Sequence, residues 1–297
     1  MNRFMIGQHG CFDEKKYERD FRRGFYGIEA CLLREEKDVD RLLELAAEEG
    51  FNIGVHFPLR GWANRVRDPL FFIQDENKRR EFYGQMEDEL CYLKRVKPKY
   101  VLFHYPKPVI LDDNVDWSYW RFGDNCEYIK ESAYSFEELR EQSEVLFQWL
   151  TDKAAEYDFV PVLEFDALNR YVYATDLLEG LLEKHPRIRV CLDIARLHLQ
   201  DRIDRSFDFR DIIRRFAKYA EVIHVSTVKA KENLENNHFP ALPTLDPAEG
   251  WADMAEYMRL IREENCTAKL LFEHRSDLIS DDELEACYNW IAQLLQE

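Results

Sequence analysis

Several features that mark other classes of protein are missing from this chain of 297 residues. The seven cysteines are scattered and form no CxxC pair, which argues against a disulfide framework or a cysteine-based zinc site. No apolar run approaches the roughly 20 residues that cross a bilayer, and the first residues lack an apolar signal segment. We therefore expect reduced thiols, a cytoplasmic location and no membrane partner.

Positive charge is also scarce. Lysine and arginine number 41 against 58 aspartates and glutamates, which gives a formal net charge of −17. A surface this acidic repels phosphate backbones unless a local patch reverses the field. The basic runs at 65–67 and 78–80 are interrupted by acidic residues and are typical of solvated helix faces. Nucleic acid is therefore an unexpected partner.

The sequence instead contains a regular alternation of short apolar segments and amphipathic helices. Segments rich in Val, Ile, Leu and Phe are typical of strands buried on both faces of a parallel sheet. No GxGxxG loop follows the first of them, which disfavours a doubly wound nucleotide-binding sheet. Eight strand–helix units predict a single (β/α)8 TIM barrel, one domain over residues 1–297. The predicted strands are Phe4–Gln8, Tyr26–Leu33, Asn52–Phe57, Tyr100–Tyr105, Val160–Phe165, Arg189–Ile194, Glu221–Ser226 and Lys269–Glu273.

Three of the predicted helices have clear boundary signals. Val39–Glu49 has apolar residues at helical spacing and stops at Gly50. Ser135 can cap a helix that runs to Tyr157, with Glu138 at the capping-box position. A charged helix over 281–295 ends the chain.

The longest connection, residues 106–134, follows the fourth predicted strand and is rich in aromatic residues. A connection of this length in a compact barrel is typically functional or disordered, and its aromatics argue against disorder. It lies on the side of a barrel where catalytic residues are found. We interpret it as a lid or substrate wall; a packed ornament or a contact in a homo-oligomer is the alternative.

Carboxylates and imidazoles stand where the last four predicted strands end. These residues are Glu164, Asp193, His224 and Glu273. The carboxyl ends of barrel strands meet at one mouth, so the four side chains are expected to converge. Three carboxylates and one imidazole form a ligand set for a divalent metal ion. Carboxylates this close repel each other unless a cation or a proton lies between them.

Other strands contribute histidines to the same rim. The third ends at His56, the fourth at His104 and the first near His9, while the second offers Glu29. A lone histidine at a strand end is more often a hydrogen-bonded structural residue. Six such residues in register, namely His56, His104 and the four residues at the ends of the last four strands, are hard to obtain by accident.

The chain resembles the xylose isomerase-like superfamily of metal-dependent barrels over its whole length. The resemblance is carried by those four strand ends, by Val55-His56 and His104-Tyr105-Pro106, and by the segment 238–240. That group includes sugar isomerases and epimerases and the zinc-dependent abasic-site endonucleases. It implies one divalent ion at the four-residue set, and a second ion or substrate at His56 and His104.

Two departures from the endonuclease branch follow from the same resemblance. Arg196 stands where that branch has a histidine, and residues 236–238 (Asn-Asn-His) replace an Asp-x-His pair. A third metal site is therefore not expected. The residues that we assign to substrate contact are His9, Lys107, Arg196, His198, His238 and Arg275.

The preferred interpretation is a sugar or sugar-derivative isomerase or epimerase. A metal ion (Mn, Mg, Co or Zn) would polarise a carbonyl and stabilise an enediolate. Glu164 and Glu273 would remove and return the proton. The alternatives are a metal-dependent phosphodiesterase of the abasic-site type, another lyase or hydrolase on the same site, and a binding protein with a degenerate site.

Overall fold

The computed structural model describes residues 1–63, 67–230 and 234–296, with side chains for all of these except residues 234–236. The described strands are β1 (Phe4–His9), β2 (Gly27–Cys31), β3 (Asn52–His56), β4 (Tyr100–Tyr105), β5 (Val109–Leu111), β6 (Tyr128–Lys130), β7 (Val160–Phe165), β8 (Arg189–Asp193), β9 (Ala220–His224), β10 (Thr227–Ala230), β11 (Leu234–Phe239) and β12 (Lys269–Phe272). The described α-helices are α1 (Glu14–Asp20), α2 (Glu36–Glu49), α3 (Glu76–Leu93), α4 (Phe136–Tyr157), α5 (Arg170–Tyr173), α6 (Leu177–Lys184), α7 (Ile194–Ile203), α8 (Phe209–Phe216), α9 (Met254–Glu264) and α10 (Asp281–Leu294).

Eight of these strands form a closed barrel in the order β1-β12-β9-β8-β7-β4-β3-β2. They correspond to the eight strands predicted from the sequence, so the predicted (β/α)8 barrel is confirmed. The second strand is shorter than predicted, because it ends at Cys31 and Leu32 takes a left-handed φ of 51°. An extended strand cannot continue through a residue in that conformation.

The three predicted helices are present and their boundary signals are confirmed, although α2 begins at Glu36, three residues before the predicted start at Val39. Gly50 ends α2 with a φ of 75°, in the left-handed region that favours glycine. Ser135 and Glu138 make both bonds of the capping box at the start of α4. Ser280 and Glu283 form a second capping box at α10.

Backbone contacts divide the chain into two compact units. The first unit comprises Met1–Gly7, Asp13–Gly27 and Val190–Glu297, and the second comprises Gln8–Phe12 and Ile28–Arg189. The prediction of one domain over 1–297 stays a prediction, and the two units are described separately below.

Edge-on aromatic packing fills the core of each unit. In the first unit, the Phe272 ring lies 4.9 Å from Phe4 and 4.7 Å from Tyr288. In the second, the rings of Phe72 and Tyr105 lie 5.6 Å apart. Such pairs add about 0.5–1.5 kcal/mol each to the free energy gained by burial.

The 106–134 connection belongs to the second unit and has structure of its own. It contains β5 and β6, which pair in parallel, and short 3-10 turns at 117–119, 125–127 and 131–133. Trp117 and Trp120 are buried, with ring centroids 5.8 Å apart. The segment is therefore packed rather than structureless, as its aromatic content predicted.

Among the described helices, none is long and apolar enough to cross a membrane.

Candidate functional site

The predicted residues lie at the carboxyl ends of their strands. His104 and Glu164 are paired in register on β4 and β7, one residue before each strand ends. Asp193 and His224 are paired in register as the last residues of β8 and β9. Residues in register on neighbouring parallel strands point to the same face of the sheet. Each pair is therefore presented side by side by the backbone.

In the second unit, two imidazoles converge on one carboxylate oxygen. The Nε2 atoms of His104 and His56 lie 3.0 and 3.2 Å from Oε2 of Glu164. All three side chains are buried, and one ligand atom from each lies within 4.8 Å of the others. We call these three residues the histidine cluster.

The opposite ring nitrogens of the cluster face acceptors. Nδ1 of His104 lies 2.7 Å from Oδ1 of Asp68, and Nδ1 of His56 lies 3.3 Å from the carbonyl oxygen of Phe57. If each Nδ1 donates, each neutral ring directs its Nε2 lone pair toward the Glu164 carboxylate. Lone pairs and an anion at this distance require a proton or a metal cation between them. The donor set of the histidine cluster therefore fits a divalent ion.

The protonation of His56 is set by opposing effects. Burial lowers the pKa of its imidazole, but contacts with Cys31 and Glu164 raise that pKa well above the usual value. Cys31 is the last residue of β2. Glu29, expected from this strand, is instead bound by the hydroxyl of Tyr100 at 2.6 Å. Because Tyr100 is the first residue of β4, Glu29 lies away from the carboxyl ends of the strands.

Behind the histidine cluster lies a buried network of charges centred on Lys107. Its Nζ atom lies 3.2 Å from Asp68, 3.0 Å from Glu127 and 3.2 Å from Asp166. The other oxygen of Asp166 accepts from the indole Nε1 of Trp120 at 3.0 Å. Three carboxylates thus surround one ammonium group, and three of the participants, Lys107, Trp120 and Glu127, come from the 106–134 segment. We call these five residues the Lys107 network.

Electrostatic interactions keep Lys107 and Asp68 ionised. Burial alone would lower the pKa of Lys107, but the carboxylates of Asp166, Asp68 and Glu127 raise it above the usual value. Burial alone would raise the pKa of Asp68, but His104 and Lys107 hold it well below its usual range. The ammonium and the Asp68 carboxylate therefore stay charged at neutral pH.

In the first unit, two carboxylates and one imidazole form a second group. Nδ1 of His224 lies 3.0 Å from Oε2 of Glu273, and the ligand atoms of His224, Glu273 and Asp193 lie within 4.8 Å of one another. His224 is fully buried, while the Glu273 side chain is 32% exposed. We call these three residues the carboxylate cluster; its oxygen and nitrogen donors fit Mn, Mg, Co or Zn.

Main-chain contacts fix the carboxylate cluster. Asp193 caps α7, since its Oδ1 accepts from the backbone N–H of Arg196 at 3.1 Å, and its Oδ2 lies 3.3 Å from Nε of the same residue. The backbone carbonyl of Glu273 accepts from Nδ1 of His238 at 3.2 Å. His238 itself has a left-handed φ of 54° and accepts from the backbone of Arg275 at 2.8 Å.

The remaining residues predicted to contact substrate lie in varied environments. Nε2 of His198 donates to the carbonyl of Gly250 at 3.0 Å, and burial lowers the pKa of this imidazole. The Arg275 guanidinium is exposed and paired with Asp277 at 2.7 Å. His9 is exposed at the end of β1. Asn236 lies among the residues whose side chains are not described.

Several residues of the Lys107 network were not identified from the sequence. Asp166 carried a usable signal, because it is a carboxylate that directly follows the apolar strand β7. Asp68 carried none, since it lies outside any periodic segment and its partner His104 is 36 residues away.

Comparison with known proteins confirms the fold. A D-tagatose 3-epimerase-like protein matches with a TM-score of 0.65 at 12% identity, covering 98% of both chains. The Escherichia coli 3-keto-D-glucoside 4-epimerase YcjR matches at 0.61 and 14%, covering 99% of both. The IolI protein, solved with a bound zinc atom, matches at 0.59 and 12%, covering 99% of this chain and 98% of that one. No family model and no curated protein matches. The chain therefore has the fold of the xylose isomerase-like barrels, and its structural neighbours include sugar epimerases.

Proposed function

We propose that this protein is a divalent-metal-dependent epimerase or isomerase of a sugar or sugar derivative. The observation that carries the proposal is the carboxylate cluster, in which three ligand atoms from three successive elements of the barrel lie within 4.8 Å of one another. The sugar epimerases among the structural neighbours support the same class of reaction.

The proposed metal ligands are Asp193, His224 and Glu273, with Glu164 as the fourth. β7 neighbours β8 in the barrel order, which supports the inclusion of Glu164. When bound, a divalent ion would supply Lewis-acid polarisation of a substrate carbonyl and its adjacent hydroxyl. Zinc in one structural neighbour supports a divalent ion without deciding which ion this chain uses.

Glu164 and Glu273 are the proposed acid–base pair. One carboxylate removes the proton from the carbon next to the carbonyl, which leaves an enediolate, and the other carboxyl group returns a proton to that carbon. Return from the opposite face inverts the centre, and return to the neighbouring carbon moves the carbonyl. Glu273 is part exposed and can exchange its proton with water. Glu164 is buried against His56 and His104, which can pass its proton on.

The histidine cluster supports a second proposal within the same site. His56 and His104 direct their Nε2 atoms to one point beside Glu164, where either a second ion or a substrate hydroxyl can be held. A second ion there would favour the alternative of a metal-dependent phosphodiesterase. Arg196, which is paired with Asp193 where the endonuclease branch has a histidine, supports the sugar reaction instead.

The 106–134 segment is proposed as a substrate wall. Its buried tryptophans, the hydrogen bond from Trp120 to Asp166 and the ion pair between Lys107 and Glu127 hold it in a defined conformation. A wall of this kind excludes water from a reactive enediolate.

The direct test is proton exchange at carbon. A panel of ketoses, including D-tagatose and L-ribulose, is incubated in deuterium oxide with protein stripped by chelator and reloaded with Mn, Mg, Co or Zn. NMR should show deuterium entering next to the carbonyl only in reloaded samples. Cleavage of an abasic-site oligonucleotide by zinc-loaded protein, without exchange in any sugar, would transfer the assignment to the phosphodiesterase.

A further inference from the structure

The position of Lys107 suggests a role other than the substrate contact predicted from the sequence. Its side chain is 2% exposed, and its Nζ atom lies within 3.2 Å of three different carboxylates. An ammonium group has three N–H donors, so these three acceptors satisfy it. A substrate anion would have to displace one of them.

Asp68 connects Lys107 to the histidine cluster. Its Oδ2 faces Nζ of Lys107 at 3.2 Å, and its Oδ1 faces Nδ1 of His104 at 2.7 Å. A carboxylate that accepts from Nδ1–H holds a proton on that nitrogen and fixes the ring orientation, which leaves Nε2 of His104 facing Glu164 at 3.0 Å. The orientation of His104 therefore depends on where Asp68 is held.

Lys107 stands at the start of the 106–134 segment, and Glu127 connects it to the part of the segment that carries the 3-10 turn 125–127. Its carboxylate lies 3.0 Å from Nζ, and its side chain is 16% exposed, against 3% for Asp68 and 7% for Asp166. Glu127 is thus the most water-accessible of the three acceptors. Loss of this contact would leave one N–H donor of the buried Lys107 ammonium group without an acceptor, which is energetically costly. Lys107 would therefore shift relative to Asp68.

We propose that Lys107 and Asp68 are positioning residues that couple the conformation of the 106–134 segment to the tautomer and orientation of His104. When the segment is packed in place, Glu127 holds the ammonium group of Lys107. Lys107 in turn holds Asp68, and Asp68 accepts from Nδ1 of His104. The consequence of this coupling for metal binding rests on the proposed function. The coupling itself does not require a metal and can be measured in metal-free protein.

The test is the tautomeric state of His104 in metal-free protein labelled with ¹⁵N-histidine. Two-bond nitrogen–proton correlations distinguish Nδ1–H from Nε2–H. Wild type should show Nδ1–H at His104. Glu127→Gln should move the His104 nitrogen resonances, and Lys107→Met should move them further. Asp124→Asn, an exposed capping residue of the same segment, is the matched control and should leave them in place.

Metal affinity and proteolysis extend the test. Asp68→Asn and Lys107→Met should each weaken Co²⁺ binding, followed by visible absorption, by about 10–100-fold, as outer partners of ligating histidines do. Lys107→Met should also speed cleavage within 106–134. Lys107→Arg, which keeps the charge, should restore protection of the segment.

Unchanged His104 resonances in Glu127→Gln would overturn the coupling, and this mild variant decides the matter even if Lys107→Met fails to fold. Resonances that move as expected, in a protein inactive toward every sugar tested, would refute the proposed function while the coupling stands.

Discussion

The histidine cluster and the carboxylate cluster contain similar donors but are held in different ways. In the histidine cluster, His104 is fixed by the buried charge of Asp68, 36 residues away in the chain, which is held in turn by Lys107. In the carboxylate cluster, Asp193 is fixed by the first turn of its own helix and Glu273 through its backbone carbonyl. The first arrangement depends on charge balance, and the second depends mainly on main-chain geometry.

The difference has consequences for mutation. Buried charges are destabilising once one partner is removed, because the others lose their compensation. Main-chain contacts survive most side-chain substitutions. We therefore expect the loss of a buried charge outside the cluster to lower stability more in the second unit than in the first. Loss of the glutamate of either cluster should lower activity.

The largest effect is expected for the two glutamates themselves. Glu164→Gln and Glu273→Gln should each lower kcat for epimerisation by about 10²–10⁴-fold, since an amide cannot accept the substrate proton. The rate is measured with saturating metal, so that weaker binding does not mimic a chemical defect.

Glu89→Gln is the matched control for these variants. Glu89 is a fully buried glutamate of the second unit that pairs with Arg60 at 2.8 Å, outside both clusters. Its substitution should lower stability with kcat retained. Equal losses of kcat in all three variants would show that the two glutamates act through folding.

The next effect concerns stability. Lys107→Met should lower the free energy of unfolding by about 3–5 kcal/mol, because it leaves three buried carboxylates without their cation. In the first unit, Lys16→Met removes the ammonium group that lies 2.6 Å from the buried carboxylate of Asp20. Asp20 still accepts a hydrogen bond from the hydroxyl of Ser276 at 2.7 Å. That cost should be smaller, about 1–3 kcal/mol.

Urea denaturation of the two variants at neutral pH compares the units directly. A Lys107→Met protein no less stable than Lys16→Met would contradict the view that charge balance holds the second unit.

The smallest effect is a pH dependence in the first unit. Burial lowers the pKa of His198 in the folded protein, so the unfolded chain binds its proton first as the pH falls. Stability from this residue is therefore present above the unfolded pKa near 6.5 and decreases below it, by at most about 1.4 kcal/mol per pH unit.

His198→Gln isolates this contribution, because glutamine can still donate to the Gly250 carbonyl but does not titrate in this range. The slope of unfolding free energy between pH 7 and pH 5 should be shallower in the variant. An identical slope would assign the pH dependence to other groups.

The barrel was predictable because apolar runs and capping residues mark its elements locally. The same regularity located Asp193 and His224, each the last residue of an apolar strand. Asp68 was not predictable, because it follows no periodic segment and becomes significant only through contacts with His104 and Lys107. The partners of Lys107 were not predictable for a related reason: a lysine near a strand end suggests a substrate contact, and its three buried carboxylate partners come from separate parts of the chain.

The measurement that tests the central claim most directly is metal content per chain, by mass spectrometry on protein purified without chelator. It is made for wild type and for a Glu164→Gln/Glu273→Gln double variant. The account predicts one equivalent of a divalent ion in wild type and none in the variant. Two or three equivalents of zinc would shift the proposed chemistry toward phosphodiester hydrolysis. Absence of metal from both proteins, even after incubation with Mn²⁺ or Zn²⁺, would contradict the account.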